Sequence, residues 1–107
     1  MRNGMTFIAE ERLRRIESGK WTPEGDDQLD NEVLALMGAA YALSYYPSKD
    51  LYHMVMKEIA KHVGDTKWFE DDDYIRNLAK AGAFMAAEID RVIRYDTSVF
   101  KNGPFID

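Results

Sequence analysis

The stretch from residue 31 to 46 constrains the fold of this chain more than any other. Val33, Leu34, Leu36, Met37, Ala39, Ala40, Tyr41, Leu43, Tyr45 and Tyr46 follow one another with few polar interruptions. Wound at 3.6 residues per turn they cover nearly the whole circumference, and a helix that is apolar all round has to be buried all round. Asp30 or Asn31 is placed to cap it and Pro47 to end it. Such a helix is central, so the rest of the chain has to enclose it.

The flanking segments have the pattern for that task. Thr6 can cap a first helix running to about residue 18, with Ile8, Leu13 and Ile16 as a thin apolar side and Gly19 as its stop. Ser48 can cap a third helix reaching about Val63. Its Leu51, Met54, Val55, Ile59, His62 and Val63 recur at spacings of three and four, and Gly64 closes it. Asp71, Asp72 and Asp73 open a fourth helix, where negative charge complements the free N–H groups and the dipole. Ile75, Leu78, Ala79, Gly82, Met85, Ala86, Ile89, Val92 and Ile93 give it a long stripe, with Arg91 and Arg94 at the favourable end. At about 22 residues it spans about 33 Å.

Between these helices, residues 20–28 have turn chemistry around Pro23 and Gly25, and residues 65–70 carry Trp68 and Phe69. Rings as large as Trp21 and Trp68 favour ordered loops. Residues 96–107 hold Gly103-Pro104 and no periodicity, but Phe100, Phe105 and Ile106 favour docking on the domain or on a neighbour. No run alternates cleanly and no hairpin dipeptide appears. The expectation is one all-α, four-helix domain over residues 1–107, with a long C-terminal helix and an irregular tail.

Charge narrows the function classes. Fourteen Lys+Arg against nineteen Asp+Glu give −5 at neutral pH, which argues against general nucleic-acid binding. The absence of cysteine removes disulfides, thiol catalysis and thiolate zinc sites, and fits a reducing compartment. Polar residues break the opening Met1–Ile8 before a signal-peptide core can form, and no run of about 18 apolar residues exists to span a membrane. A cytoplasmic protein without a membrane partner is expected.

Three clusters carry chemistry. Glu24, Asp26, Asp27, Asp30 and Glu32 are hard oxygen donors suited to Mg²⁺ or Ca²⁺. They lack the glycine turn and terminal Glu of a calcium loop, and loop solvation with helix capping explains them without a metal. Glu10 and Glu11 with Glu88 and Asp90 have the composition of the acid-lined groove of an all-α, Mg-dependent nucleotide pyrophosphohydrolase. Their neighbours Arg14, Arg15 and Arg91 sit at spacings of three and four, which suits ion pairs on helix surfaces. Turnover of a nucleotide is therefore an alternative reading and a non-catalytic one is preferred; no cofactor and no metal are expected. His53 and His62 have no second ligand or carboxylate nearby in sequence, and no nucleophile elbow or phosphate-cradling glycine loop is present.

The third cluster is basic. Residues 1–20 hold five basic residues (Arg2, Arg12, Arg14, Arg15, Lys20) against three acidic ones (Glu10, Glu11, Glu17) in an otherwise acidic chain. Guanidinium groups grip phosphate bidentately, and Trp21 just downstream can stack on a base. The small residues of Lys80-Ala81-Gly82-Ala83-Phe84-Met85-Ala86-Ala87 permit close helix approach, so self-association through the long helix or the tail is expected.

Two stretches together resemble a family of small proteins encoded by tailed phages and prophages. Glu11-Arg12-Leu13-Arg14-Arg15-Ile16 followed by Trp21-Thr22-Pro23-Glu24-Gly25-Asp26-Asp27 is similar to that family's E-R-x-R-Q-I helix and G-W-T-x-E-H-D-D-x-H segment. Residues 76–91 are similar to its R-D-L-V-K-A-G-A-L-x-x-A-E-I-x-R helix, and Ala39-Ala40-Tyr41-Ala42 to a helix of small residues and Tyr between them. Gly25 and Leu29 stand where the family pattern has histidines, and Lys20 interrupts its Gly-Trp pair. The Trp-Thr…Gly-Asp-Asp stretch also faintly resembles the ryanodine-receptor-type repeat.

The resemblance implies an accessory protein of phage infection, acting in the host cytoplasm in counter-defence or host takeover. Such a protein sequesters a signalling nucleotide, which is the expected role here, or grips a host protein, which is the alternative. For the first role, Arg12, Arg15, Lys20 and Trp21 are the candidate contacts to an anionic nucleotide-like ligand, with Tyr41 and Tyr45 lining the pocket and a second subunit completing it. For the second, Asp26, Asp27 and Asp30 with residues 70–73 are the acidic loops that meet the partner.

Overall fold

The computed structural model describes residues 1–29 and 32–95, and every regular element among them is a helix. α1 (Gly4–Glu17) is capped by Asn3, whose side-chain oxygen accepts from the backbone N–H of Thr6 at 3.1 Å. The cap thus lies three residues before Thr6, whose hydroxyl shares the same acceptor. A fifth helix not anticipated from the sequence, α2 (Pro23–Asp26), makes one turn of the segment read there as a loop. Thr22 caps it and Pro23 occupies the first turn, so the residues that signal a turn serve here as a helix start.

α3 (Val33–Leu43) is the central helix, with Val33, Leu34, Met37, Ala40 and Tyr41 wholly buried. It ends before Tyr45 and Tyr46, which lie in the following turn and are half exposed. Glu32 precedes it in a left-handed conformation (φ 63°) and makes no side-chain cap, while Asp30 and Asn31 lie outside the described residues.

α4 (Asp50–Val63) follows Lys49, one residue later than a Ser48 cap requires. Its expected stripe is buried only in part. Ile59 is sealed in the core, Tyr52, Val55, Met56 and Val63 are half-buried against it, and Leu51, Met54 and His62 face outward. The reason is geometric: α4 packs chiefly on α3, so a single neighbour covers a single narrow strip.

α5 (Tyr74–Tyr95) has the expected 22 residues and lies between α1 and α3. Two glycines set these close approaches. A Cβ on Gly38 would come within 3.0 Å of the Ala81 carbonyl oxygen, and one on Gly82 would meet Ile8 at 2.6 Å. α1 and α5 run in the same direction, since Gly4, Phe7 and Ile8 share a groove with Ile75, Leu78 and Ala79 while Arg12 reaches Asp90. Among the described residues no helix is long and apolar enough to cross a membrane. The tail carrying Phe100, Phe105 and Ile106 lies outside the described residues.

Candidate functional site

The seam where α1, α2 and α5 meet is built from charge. Glu11 and Arg15, one turn apart on α1, are both buried and joined at 2.9 Å. Arg14 adds a second contact to Glu11 at 2.5 Å from the exposed side. Burial alone would raise the Glu11 carboxyl above its usual range. The hydrogen bond from Arg14 and the charges of Arg15 and Arg14 outweigh that and hold it below. The Arg15 guanidinium also lies over rings, 4.7 Å from the centroid of Phe84, 5.6 Å from Trp21 and 5.7 Å from Tyr41. Trp21 meets Phe84 edge to face at 4.8 Å.

Asp26, at the end of α2, is the second buried acid, with a side chain 1% exposed. Arg12 stands 3.7 Å from it and 3.3 Å from Asp90 of α5. Burial pushes the Asp26 carboxyl above its usual range, against the pull of Arg12 and Arg94. Arg94 fastens the same corner by donating to Asp27 at 2.8 Å and to the Pro23 carbonyl at 3.2 Å. Nε of Arg12, Nη2 of Arg15 and both Asp26 oxygens make no hydrogen bond within the chain. Arg12, Arg15, Trp21, Asp26 and Phe84 surround a cavity of about 10 Å³, room for about one water molecule.

A second polar cluster lies under α5. Lys80 is buried, donates to the Glu70 carbonyl at 2.5 Å and stands 3.6 Å from Asp72 and 5.5 Å from the Tyr41 ring. Asn77, also buried, donates to Ser44 and Asp71, each at 2.9 Å. The Tyr41 hydroxyl donates to the Trp68 carbonyl and accepts from the Glu70 N–H at 2.7 Å. Burial raises the Tyr41 pKa, so the phenol stays protonated and keeps that donor.

Of the six residues singled out for an anionic ligand, Arg12, Arg15 and Trp21 therefore converge on one cavity. Tyr41 stands behind Arg15 and Phe84, sealed in the core with its hydroxyl engaged. Lys20 is exposed and pairs with Glu70 at 3.6 Å. Tyr45 lies at the other end of α3, where its hydroxyl donates to the Asp72 carbonyl and its ring leans on Tyr74 at 5.1 Å. The acids of the hydrolase alternative do not converge either. Glu10 pairs with Arg2, Glu11 with Arg14 and Arg15, Glu88 with Arg91, and Asp90 with Arg12. Among the described residues no three His, Asp or Glu side chains gather as a metal ion requires.

The end of the molecule where α3 stops and α5 begins has a different character. Tyr45, Tyr46 and Tyr74 are each about half exposed, at 51%, 52% and 49%. Asp71, Asp72 and Asp73 border them, also exposed. A hydrogen bond from the Asp73 backbone N–H holds the Asp72 carboxyl below its usual range, so it is charged at neutral pH. Neither a protein-family model, nor a curated protein, nor a solved structure matches this chain.

The buried roles of Asn77 and Lys80 escaped the sequence reading. The available signal was that both sit one turn apart on the face of the fourth helix opposite the stripe around Leu78 and Met85. The spacing of Glu11 and Arg15 predicts an ion pair on the helix surface, and the structure buries that pair. Nothing local distinguishes a surface pair from a buried one, because the covering residues Phe84 and Trp21 come from other segments.

Proposed function

We propose that this protein is a small non-catalytic binding protein that grips a partner protein through its tyrosine–aspartate end. The observation that carries this reading is the contrast in exposure. Glu11, Arg15 and Asp26 of the arginine seam are buried, whereas Tyr45, Tyr46 and Tyr74 present half-open phenol rings beside the exposed Asp71, Asp72 and Asp73, which also brace the start of α5. Tyrosine supplies large amphipathic contact area at low entropic cost and is enriched at protein interfaces. The adjacent carboxylates select a basic partner surface. In the setting implied by the phage-family resemblance, that partner is a host protein and the effect is inhibition during infection.

Sequestration of a nucleotide-like ligand is the competing reading. It is favoured by the convergence of Arg12, Arg15 and Trp21, and it requires their water-sized cavity to open. One experiment separates the two. The tagged chain and its Tyr74→Ala and Asp72→Lys variants are used to capture partners from host lysate, while the wild type is titrated calorimetrically with linear and cyclic nucleotides. A basic protein retained by the wild type, lost with either variant and released by salt supports the proposal. Nucleotide binding at micromolar concentration that disappears in Trp21→Ala, with no retained protein, overturns it in favour of sequestration.

A further inference from the structure

The outward side of α5 carries an apolar stripe along its whole length, flanked by Arg76, Asp90 and Arg94. Ile75, Leu78, Gly82, Met85, Ile89 and Ile93 fall within one stripe, uninterrupted by charge. Ile75 and Ile89 are 60% and 57% exposed, and Leu78, Met85 and Ile93 about 40%. Alongside, α1 turns Met5, Ala9, Leu13 and Ile16 outward, and Ile8, resting on Gly82, joins the two rows. The large side chains of this face leave on the order of 800 Å² exposed, which is about the area each partner contributes to a standard-size interface. A patch of this size is rare on a monomer.

We propose that a second copy of this chain docks here, across a two-fold axis, with α5 antiparallel to the partner's α5 and α1 antiparallel to the partner's α1. The argument is register. An isologous interface has to be complementary to itself. About a centre near residue 84, Ile75 opposes Ile93 of the other copy and Leu78 opposes Ile89, while the middle of the stripe is levelled by Ile8 seated on Gly82 and by Met85, whose Cε rests against Gly38 of α3. About a centre near residue 10 or 11, Met5 opposes Ile16 and Ala9 opposes Leu13. The contact of Ile8 with Gly82 and the parallel course of the two helices put these centres at the same height. One axis therefore satisfies both rows. The antiparallel arrangement also sets the positive end of each helix dipole beside the negative end of its partner. The chain's own residues 96–107 are a poorer occupant, offering Phe100, Phe105 and Ile106 against two full helical rows.

The absence of native cysteine makes the test clean. The full chain is expected to sediment as a dimer across the micromolar range. Ile89→Lys is expected to yield a monomer with unchanged helical circular dichroism, since Ile89 lies outside the core. Mixing a chain carrying Ile75→Cys with one carrying Ile93→Cys is expected to give an oxidised cross-link, because the Cα atoms have to approach within about 7 Å. Ile75→Cys alone should cross-link poorly, its two copies lying about 27 Å apart along the helix pair. A monomeric wild type overturns the proposal, as does an Ile89→Lys dimer. Efficient self-linking of Ile75→Cys indicates a parallel pair and overturns it too. Dimerisation only of a chain cut after Tyr95 assigns the face to the tail instead and has the same consequence.

Discussion

α3 and α5 are both rich in small and aliphatic residues, and they use them in opposite ways. α3 sinks Val33, Leu34, Met37, Ala40 and Tyr41 into the core. α5 buries Asn77 and Lys80 together with its alanines and Phe84, and turns Ile75, Leu78, Ile89 and Ile93 to the outside. The difference is made by what each helix meets. α3 is met by apolar side chains from α4, the 65–70 loop and α5. The first part of the inner face of α5, at Asn77 and Lys80, is met by Ser44, the Glu70 carbonyl, Asp71 and Asp72, whose partners have to be polar, while Ala81, Phe84 and Ala87 further along join the apolar core. A polar residue on the covered side of a helix is tolerated when the groups it brings are answered: the Asn77 Nδ2 and the Lys80 ammonium find acceptors, while the Asn77 Oδ1 makes no hydrogen bond within the chain. The lesson is that composition fixes which helix is buried, while partner chemistry fixes which face.

The sharpest way to break this comparison is to remove one member of the polar seam. Glu11→Ala leaves Arg15 buried without its carboxylate, and an uncompensated buried charge costs about 3–5 kcal/mol. Urea unfolding should show that loss in the midpoint with an unchanged slope. Replacing the pair together, Glu11→Leu with Arg15→Met, is expected to restore stability to near the wild-type value, because apolar substitutes of similar volume often match a buried pair. A double variant as unstable as Glu11→Ala would show that the seam's charges, and not only their pairing, are needed to seat Phe84 and Trp21. A smaller effect is expected in the second cluster. Asn77→Ala removes both donations to Ser44 and Asp71, at a cost of about 1–3 kcal/mol, and the same unfolding assay reads it. A change below the lower bound would mean that water replaces the amide and that this face of α5 is not sealed.

How much of this was legible in the sequence follows the same division. The central position of residues 33–43 was readable because it depends on one segment's own pattern. The length of α5 was readable too, from its opening acids and its periodicity. The caps were misplaced by one to three residues, since Asn3, Thr6 and Ser48 are all competent and only the local backbone chooses. The single stripe assigned to α5 joined residues that the fold separates, with Ala79 covered and Ile75, Leu78 and Ile89 outside. Apolar periodicity cannot say whether a helix has one apolar neighbour or two. At the candidate site, the meeting of Arg12, Arg15 and Trp21 is legible from their proximity along the chain. Their capture by Asp26, Glu11 and Phe84 is not, because those partners arrive from separate turns and elements.

The smallest expected effect concerns the two buried carboxyls, and here the seam can be compared with itself. Asp26 is raised by burial, so the folded chain holds a proton there over a pH range in which the unfolded chain, titrating near 3.9, has released it. Its contribution to stability is therefore fully present below the ordinary aspartate value and is lost as pH rises through the raised one. Glu11 is lowered despite its burial, because Arg14 and Arg15 overcome the desolvation. Its contribution is present above the ordinary glutamate value and is lost as pH falls through the lowered one. Acidification from neutral should thus first relieve Asp26 and only afterwards undo Glu11. Unfolding free energies measured in a pH series should show this as opposite slopes in difference curves. Subtracting Asp26→Asn from the wild type isolates a component that declines with rising pH, and subtracting Glu11→Gln isolates one that climbs. If both differences climb, Arg12 and Arg94 outweigh the burial of Asp26, and the α2 corner is held by an ordinary ion pair of the kind that joins α1 to itself.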